Sequence, residues 1–189
     1  PLAVNLFEKS LYNNPIFAPS QLQLAKIDYR NNRLNEAAIK VRDIYFNMKP
    51  DPETADLCME LVNNIYNSYM DKAEALLNDK AWQQALDVSY KTRDFCHSIP
   101  GFYCSQMLSA NISRAIHGIY NSYLDNARFY LNNGDLVAAE KEVKKALDYF
   151  NSNPSELKSN SEAIAVLTEI KEKEYLKLIA QGKIQLKAK

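Results

Sequence analysis

Displaced by 54 residues, the sequence meets itself again without a gap. Ile65-Tyr-Asn-Ser-Tyr69 falls on Ile119-Tyr-Asn-Ser-Tyr123. Asp71, Ala73, Leu77, Asn78, Ala85, Lys91, Asp94, Ser98 and Pro100 fall on Asp125, Ala127, Leu131, Asn132, Ala139, Lys145, Asp148, Ser152 and Pro154. These are 14 identities over the 36 positions from 65 to 100, spread too evenly for coincidence. A period this long, carried by helix-forming residues, means repeated supersecondary units that bury their apolar faces against one another.

The periodicity within each unit is helical. Leu57, Leu61, Ile65, Tyr69, Ala73 and Leu77 recur at four-residue steps, and Leu108, Ile112, Ile116 (or Ala115), Ile119, Tyr123, Ala127 and Tyr130 do so further on. Ile164, Leu167, Tyr175 and Leu178 give a looser stripe in a charged segment whose other face must be solvated. The whole chain has four glycines, and its one Asn-Gly pair, Asn133-Gly134, stands between two helical stripes and not between alternating apolar runs, which argues against β structure.

The breaks are legible as well. Asp51-Pro52-Glu53 sets a capping residue before a proline suited to a first helical turn. Asn153-Pro154-Ser155-Glu156 repeats the device, with Glu156 placed to close a capping box. Ile99-Pro100-Gly101 separates two helices, and Asn133-Gly134-Asp135 reads as a glycine stop followed by a new N-cap. Helices are therefore expected over 2–13, 19–31, 34–48, 53–78, 81–97, 102–132, 135–151 and 155–181.

The unit Tyr123-x-x-x-Ala127-x-x-Tyr130-x-x-x-Gly134-Asp135-Leu136-x-x-Ala139, followed by Ala146-Leu147 and Pro154, resembles the tetratricopeptide repeat. Leu24-Ala25, Leu34, Ala37 and Pro50 carry a weaker version. The resemblance implies an all-α solenoid of stacked antiparallel helix hairpins that binds proteins. It implies a half repeat over 1–15 (Ala3, Phe7, Ser10-Leu11 and Pro15), a repeat over 16–50, elongated repeats over 51–100 and 101–154, and a partial repeat over 155–189. Gln181-Gly182-Lys183-Ile184 reads as the turn into a further unit. Elongated first helices predict a taller, less curved stack than the family's usual superhelix. Terminal repeats normally turn a polar face outward, whereas Leu2, Leu6, Phe7 and Leu11 are apolar, so a longer array is expected.

Charge narrows the function. Lys+Arg and Asp+Glu both number 23, giving a formal charge of zero, which disfavours nucleic acid and anionic membrane surfaces. No apolar run approaches the ~18–20 residues of a membrane span. Neither GxGxxG nor GxxxxGK[ST] occurs. Cys96-His97 with Cys104 lacks a fourth ligand for zinc and an orienting third group for a nucleophile. The carboxylates mostly alternate with lysines on solvated helix faces. No enzyme, metal or cofactor is expected.

What remains is a scaffold for another protein or peptide, from a chain that is a monomer or a weak homo-oligomer. A structural spacer or self-association module within a larger protein is the alternative. In the family, the first helix of each unit lines the groove that takes extended peptides or partner helices. Carried over, the stripe is Arg114, His117, Asn121, Asp125 and Arg128 in one unit, and Glu60, Asn63, Asn67, Asp71 and Glu74 in the one before. Asn67 and Asn121 are identical across units, and a side-chain amide there could hold a peptide backbone. Ordinary solvated residues are the plain alternative. The basic pairs of a carboxylate clamp are missing.

Cys96 ends one helix and Cys104 begins the next, with Pro100-Gly101 reversing the chain between them. Their α-carbons could come within the ~7 Å that a disulfide tolerates, which would point to an oxidising compartment such as the periplasm or cell envelope. Three reduced thiols are the other reading, because packed helices sit about 8–10 Å apart.

Overall fold

The structure is a computed structural model that describes residues 2–187; Pro1 and the last two residues of the expected partial repeat lie outside it. The described residues form eight α-helices: α1 (Leu2–Asn13), α2 (Ala18–Arg30), α3 (Leu34–Asp43), α4 (Pro52–Asn78), α5 (Trp82–His97), α6 (Gln106–Asn132), α7 (Leu136–Ser152) and α8 (Ser161–Lys187). A π-helical turn, Ile44–Met48, closes α3. Packing runs mostly between sequence neighbours: α1 on α2, α2 on α3, α3 on α4, α4 on α5, and α7 on α8, with α2 also touching α4. The chain divides into two compact units between Ile112 and Ser113, inside α6.

Three helix pairs close with the same turn. After α2, α4 and α6 one residue takes a left-handed backbone: Asn32 (φ 58°), Lys80 (φ 57°) and Gly134 (φ 77°). In each case the next amide reaches back five residues, Arg33 to Asp28, Ala81 to Leu76 and Asp135 to Tyr130, at 2.9–3.0 Å. This pattern satisfies carbonyls that a helix C-terminus leaves unpaired. On the two sides of each turn stand fully buried alanines: Ala25 and Ala37, Ala73 and Ala85, Ala127 and Ala139. A methyl at the crossing lets the helices approach closely, and larger neighbours fill the space on either side.

In the first unit the core joins Leu22, Val41, Ile44, Leu61, Val62, Ile65 and Leu108. Within the second, Ile116, Leu124, Val143 and Ile170 are buried. Asp51 caps α4 as expected, accepting from the Thr54 amide at 3.0 Å, and Asp135 accepts from the Ala138 amide at 3.0 Å.

Four expectations need correction. The helix expected from 102 starts at Gln106, because tertiary contacts hold the preceding residues. Phe102 packs edge-on against Tyr66 with ring centroids 5.2 Å apart, and the Ser105 amide donates to Tyr66 Oη at 2.9 Å. The helix expected at 155–181 runs instead from Ser161 to Lys187. Asn153-Pro154-Ser155-Glu156 makes only one turn, in which the Leu157 amide reaches Asn153 O at 3.0 Å and the Leu157 side chain is buried. Gly182 is no turn but lies within α8. Finally, the last five residues of the helix expected at 34–48 widen into the π turn, which puts both Ile44 and Met48 in the core before Lys49 (φ 48°) ends it.

Candidate partner-binding surface

The core of α4 runs along Thr54, Cys58, Leu61, Ile65, Tyr69, Ala73 and Leu77. At about 100° per residue, Glu60, Asn63, Asn67, Asp71 and Glu74 then fall on the opposite side, and all five are exposed. Asn63 Nδ2 bonds back to Met59 O at 2.9 Å. Asn67, Asp71 and Glu74 enter no ion pair or side-chain hydrogen bond among the described residues. The face also carries Glu53 and Asp56, and Lys72 is the one cation on α4, so its field is acidic.

In the second unit Arg114, His117, Asn121 and Asp125 are exposed along α6. His117 Nδ1 lies 2.9 Å from Ser113 O. Arg128 departs from the expected pattern of a free groove residue. It is half-buried, its guanidinium is hydrogen-bonded to Glu162 at the start of α8, and Asp125 lies 3.7 Å away. Its role is to join α6 to α8, so it is not available to a ligand in the way Asn121 is.

The sequence stripe omitted the corresponding residues of α2. Lys26, Tyr29 and Arg30 line a cleft of about 210 Å³ with Leu57, Glu60, Leu61 and Asn64 of α4. The signal that could have found them is a second register: Asn32 precedes Lys80 by 48 residues, and the same step carries Lys26 onto Glu74. On the same helix Asp28 is buried and paired with Arg33 and with Lys40 Nζ at 2.6 Å. Burial pushes the Asp28 carboxyl up, but the bonds and charges of Lys40 and Arg33 outweigh it and hold the carboxyl below its usual range.

No family model matches this chain, and no curated protein or solved structure matches it significantly.

The cysteines offer little chemistry. Cys96 and Cys104 are joined in a disulfide with α-carbons 5.7 Å apart, which leaves neither as a thiolate. Cys58 is fully buried, and burial pushes its thiol up to about 11, so almost none is ionised at neutral pH. Among the described residues no three His, Cys, Asp or Glu side chains are grouped to hold a metal ion. Asn111 of the sequon Asn111-Ile112-Ser113 is buried in α6, which denies its amide to a glycosyl donor. Among the described residues no helix is long and apolar enough to cross a membrane.

Proposed function

We propose that the chain is a tetratricopeptide-repeat-like, non-catalytic scaffold, and that it binds a partner protein or peptide along the exposed faces of the first helices of its hairpins. The observation that carries this reading is the pairing of a repeated frame with an idle polar face. Three hairpins share one turn geometry and one pair of crossing alanines. On α4 the side away from the core holds Asn67, Asp71 and Glu74 with no internal partner among the described residues. The acidic balance of that face favours a neutral or basic segment, to whose backbone the Asn67 amide offers a donor and an acceptor, as Asn121 does on α6 of the second unit.

The test is affinity capture with the purified chain, followed by titration of the captured partner against variants. Asn67→Ala, Asp71→Ala and Asn121→Ala together should weaken binding at least tenfold while leaving the melting temperature within about 1–2 °C, as expected for exposed positions. Lys91→Ala, on the exposed side of α5, should change nothing. Unchanged affinity in the triple variant would refute the assignment.

A further inference from the structure

The three left-handed turns form a controlled comparison within one chain. The residues ahead of Asn32, Lys80 and Gly134 are Asn31, Asp79 and Asn133, and all three are exposed. At each turn the amide of the left-handed residue donates three residues back: Asn32 to Tyr29 O at 2.9 Å, Lys80 to Leu77 O at 3.2 Å, and Gly134 to Leu131 O at 3.2 Å. The backbones match, so the turns differ in the side chain ahead of the left-handed amide and in the one that follows it.

That difference decides a reaction. The amide nitrogen of the next residue can attack an asparagine carboxamide, closing a cyclic imide and expelling ammonia, which is one way asparagine is thermolabile. A Cβ on the attacking residue crowds the approach, and glycine has none. Asn31 is followed by Asn32, whose Cβ shields it and whose amide is held at the shorter distance. Asp79 is already an acid. Asn133 is followed by Gly134, and the space where a Cβ would stand has nothing within 4 Å. The Asn133 carboxamide has no hydrogen bond among the described residues. The attacking amide is held by its 3.2 Å bond at the end of α6, and helix ends are where backbone bonds open most readily.

We propose that Asn133 is a site of spontaneous covalent modification by imide formation and hydrolysis, and that its isoaspartyl product opens the α6–α7 turn. The Gly134 nitrogen bonds to Asn133 Cγ, the Cγ–Nδ2 bond breaks, and ammonia leaves carrying the proton of the Gly134 amide. Water then opens the imide. Cleavage between Gly134 N and Cγ gives aspartate, and cleavage between Gly134 N and the Asn133 carbonyl carbon gives isoaspartate. Aspartate restores the main chain and puts at 133 the residue that the second hairpin already carries at 79, so this product keeps the turn. Isoaspartate routes the main chain through Cγ and lengthens it by a methylene. Two bonds depend on the original length: Asp135 N to Tyr130 O, and Ala138 N to Asp135 Oδ1, both at 3.0 Å. Losing them undoes the helix stop of α6 and the cap of α7. The polar faces of α4 and α6 play no part in this chemistry, so its failure would leave the reading of those faces intact.

Incubating the folded chain in mildly alkaline buffer, followed by peptide mapping with mass spectrometry, tests it. Asn133 should convert at least tenfold faster than Asn31, and chromatography should separate aspartyl and isoaspartyl forms of its peptide. Gly134→Lys, which copies the second turn, should slow conversion at Asn133 at least tenfold while circular dichroism shows unchanged helicity. In an aged sample, brief protease treatment should cut isoaspartyl chains between α6 and α7 at least tenfold faster than aspartyl chains, and Asn133→Asp should resist like the parent. Conversion of Asn133 only in the urea-unfolded chain, equal rates at Asn31 and Asn133, or an unchanged rate in Gly134→Lys overturns the proposal. So does equal protease resistance of the aspartyl and isoaspartyl chains, because the turn would then tolerate both products.

Discussion

Lys80 and Gly134 hold the same position in two turns, with φ 57° and 77° and matching hydrogen bonds, yet one has a side chain and the other has none. Exchanging them isolates the cost of the left-handed backbone. A Cβ at Gly134 meets nothing within 4 Å, so Gly134→Lys introduces no clash, only the conformational penalty. That penalty is about 1–2 kcal/mol for an L-residue. It is offset by about 0.4–1 kcal/mol, because removing glycine also restricts the unfolded chain. The net loss for Gly134→Lys is then about 0.5–1 kcal/mol, and Lys80→Gly should gain a similar amount. For a chain of this size that is about 1–4 °C in melting temperature in each direction. Urea and thermal unfolding followed by circular dichroism at 222 nm would measure both variants and the double exchange. Shifts of the same sign in the two single variants would refute the equivalence of the turns, as would a destabilised Lys80→Gly.

Three further outcomes follow from contacts already described. Arg128→Ala should cost about 0.2–1 kcal/mol, and a double-mutant cycle with Glu162→Gln should recover most of it as coupling, where a free groove residue would show none. Asp28 has a folded-state pKa below its unfolded value of about 3.9, so the stability it adds is fully present at neutral pH and is lost as pH falls through the folded value. Asp28→Asn should therefore be less stable than the parent at pH 7 and lose less on acidification below about pH 4; parallel curves would rule out the pairing with Lys40 and Arg33. The Cys96–Cys104 bond spans eight residues of sequence, and on the chain-entropy model its reduction or Cys104→Ser should cost about 2–3 kcal/mol. Denaturation with and without reductant checks the cost, and peptide mapping of the unreduced protein checks the bond.

The parts of the fold legible in the sequence are those decided within a few residues. The four-residue stripes of α4 and α6 and the glycine at 134 are local signals, and the helices stand where they point. The errors come from residues whose conformation is set from a distance. Nothing local announces that Tyr66 will take the Ser105 amide and delay α6, or that burial of Leu157 will use up a capping box after one turn. Lys80 in a left-handed turn is invisible to residue preference and shows only by its register with Gly134. The stripe Ile164, Tyr175 and Leu178 reads as core because spacing identifies an apolar seam, not whether anything covers it. Among the candidate residues, the family resemblance pointed to a stripe that is exposed on α4 and could not reveal that Arg128 is engaged by Glu162 on α8.

The preference for packing between neighbours also bears on how the chain folds. The described side-chain hydrogen bonds join residues no more than 39 positions apart, and each helix of the first unit meets partners one or two elements away. Loops that must close before contacts form are therefore short, and their entropy cost grows only with the logarithm of length. Such low contact order places folding in the fast regime typical of helical proteins. During synthesis α2 and α3 can pair as soon as both have emerged, and α4 then finds a finished surface for its N-terminal half. Within the first unit each helix pair offers a finished surface to the next element, an order of assembly that matches the direction of translation.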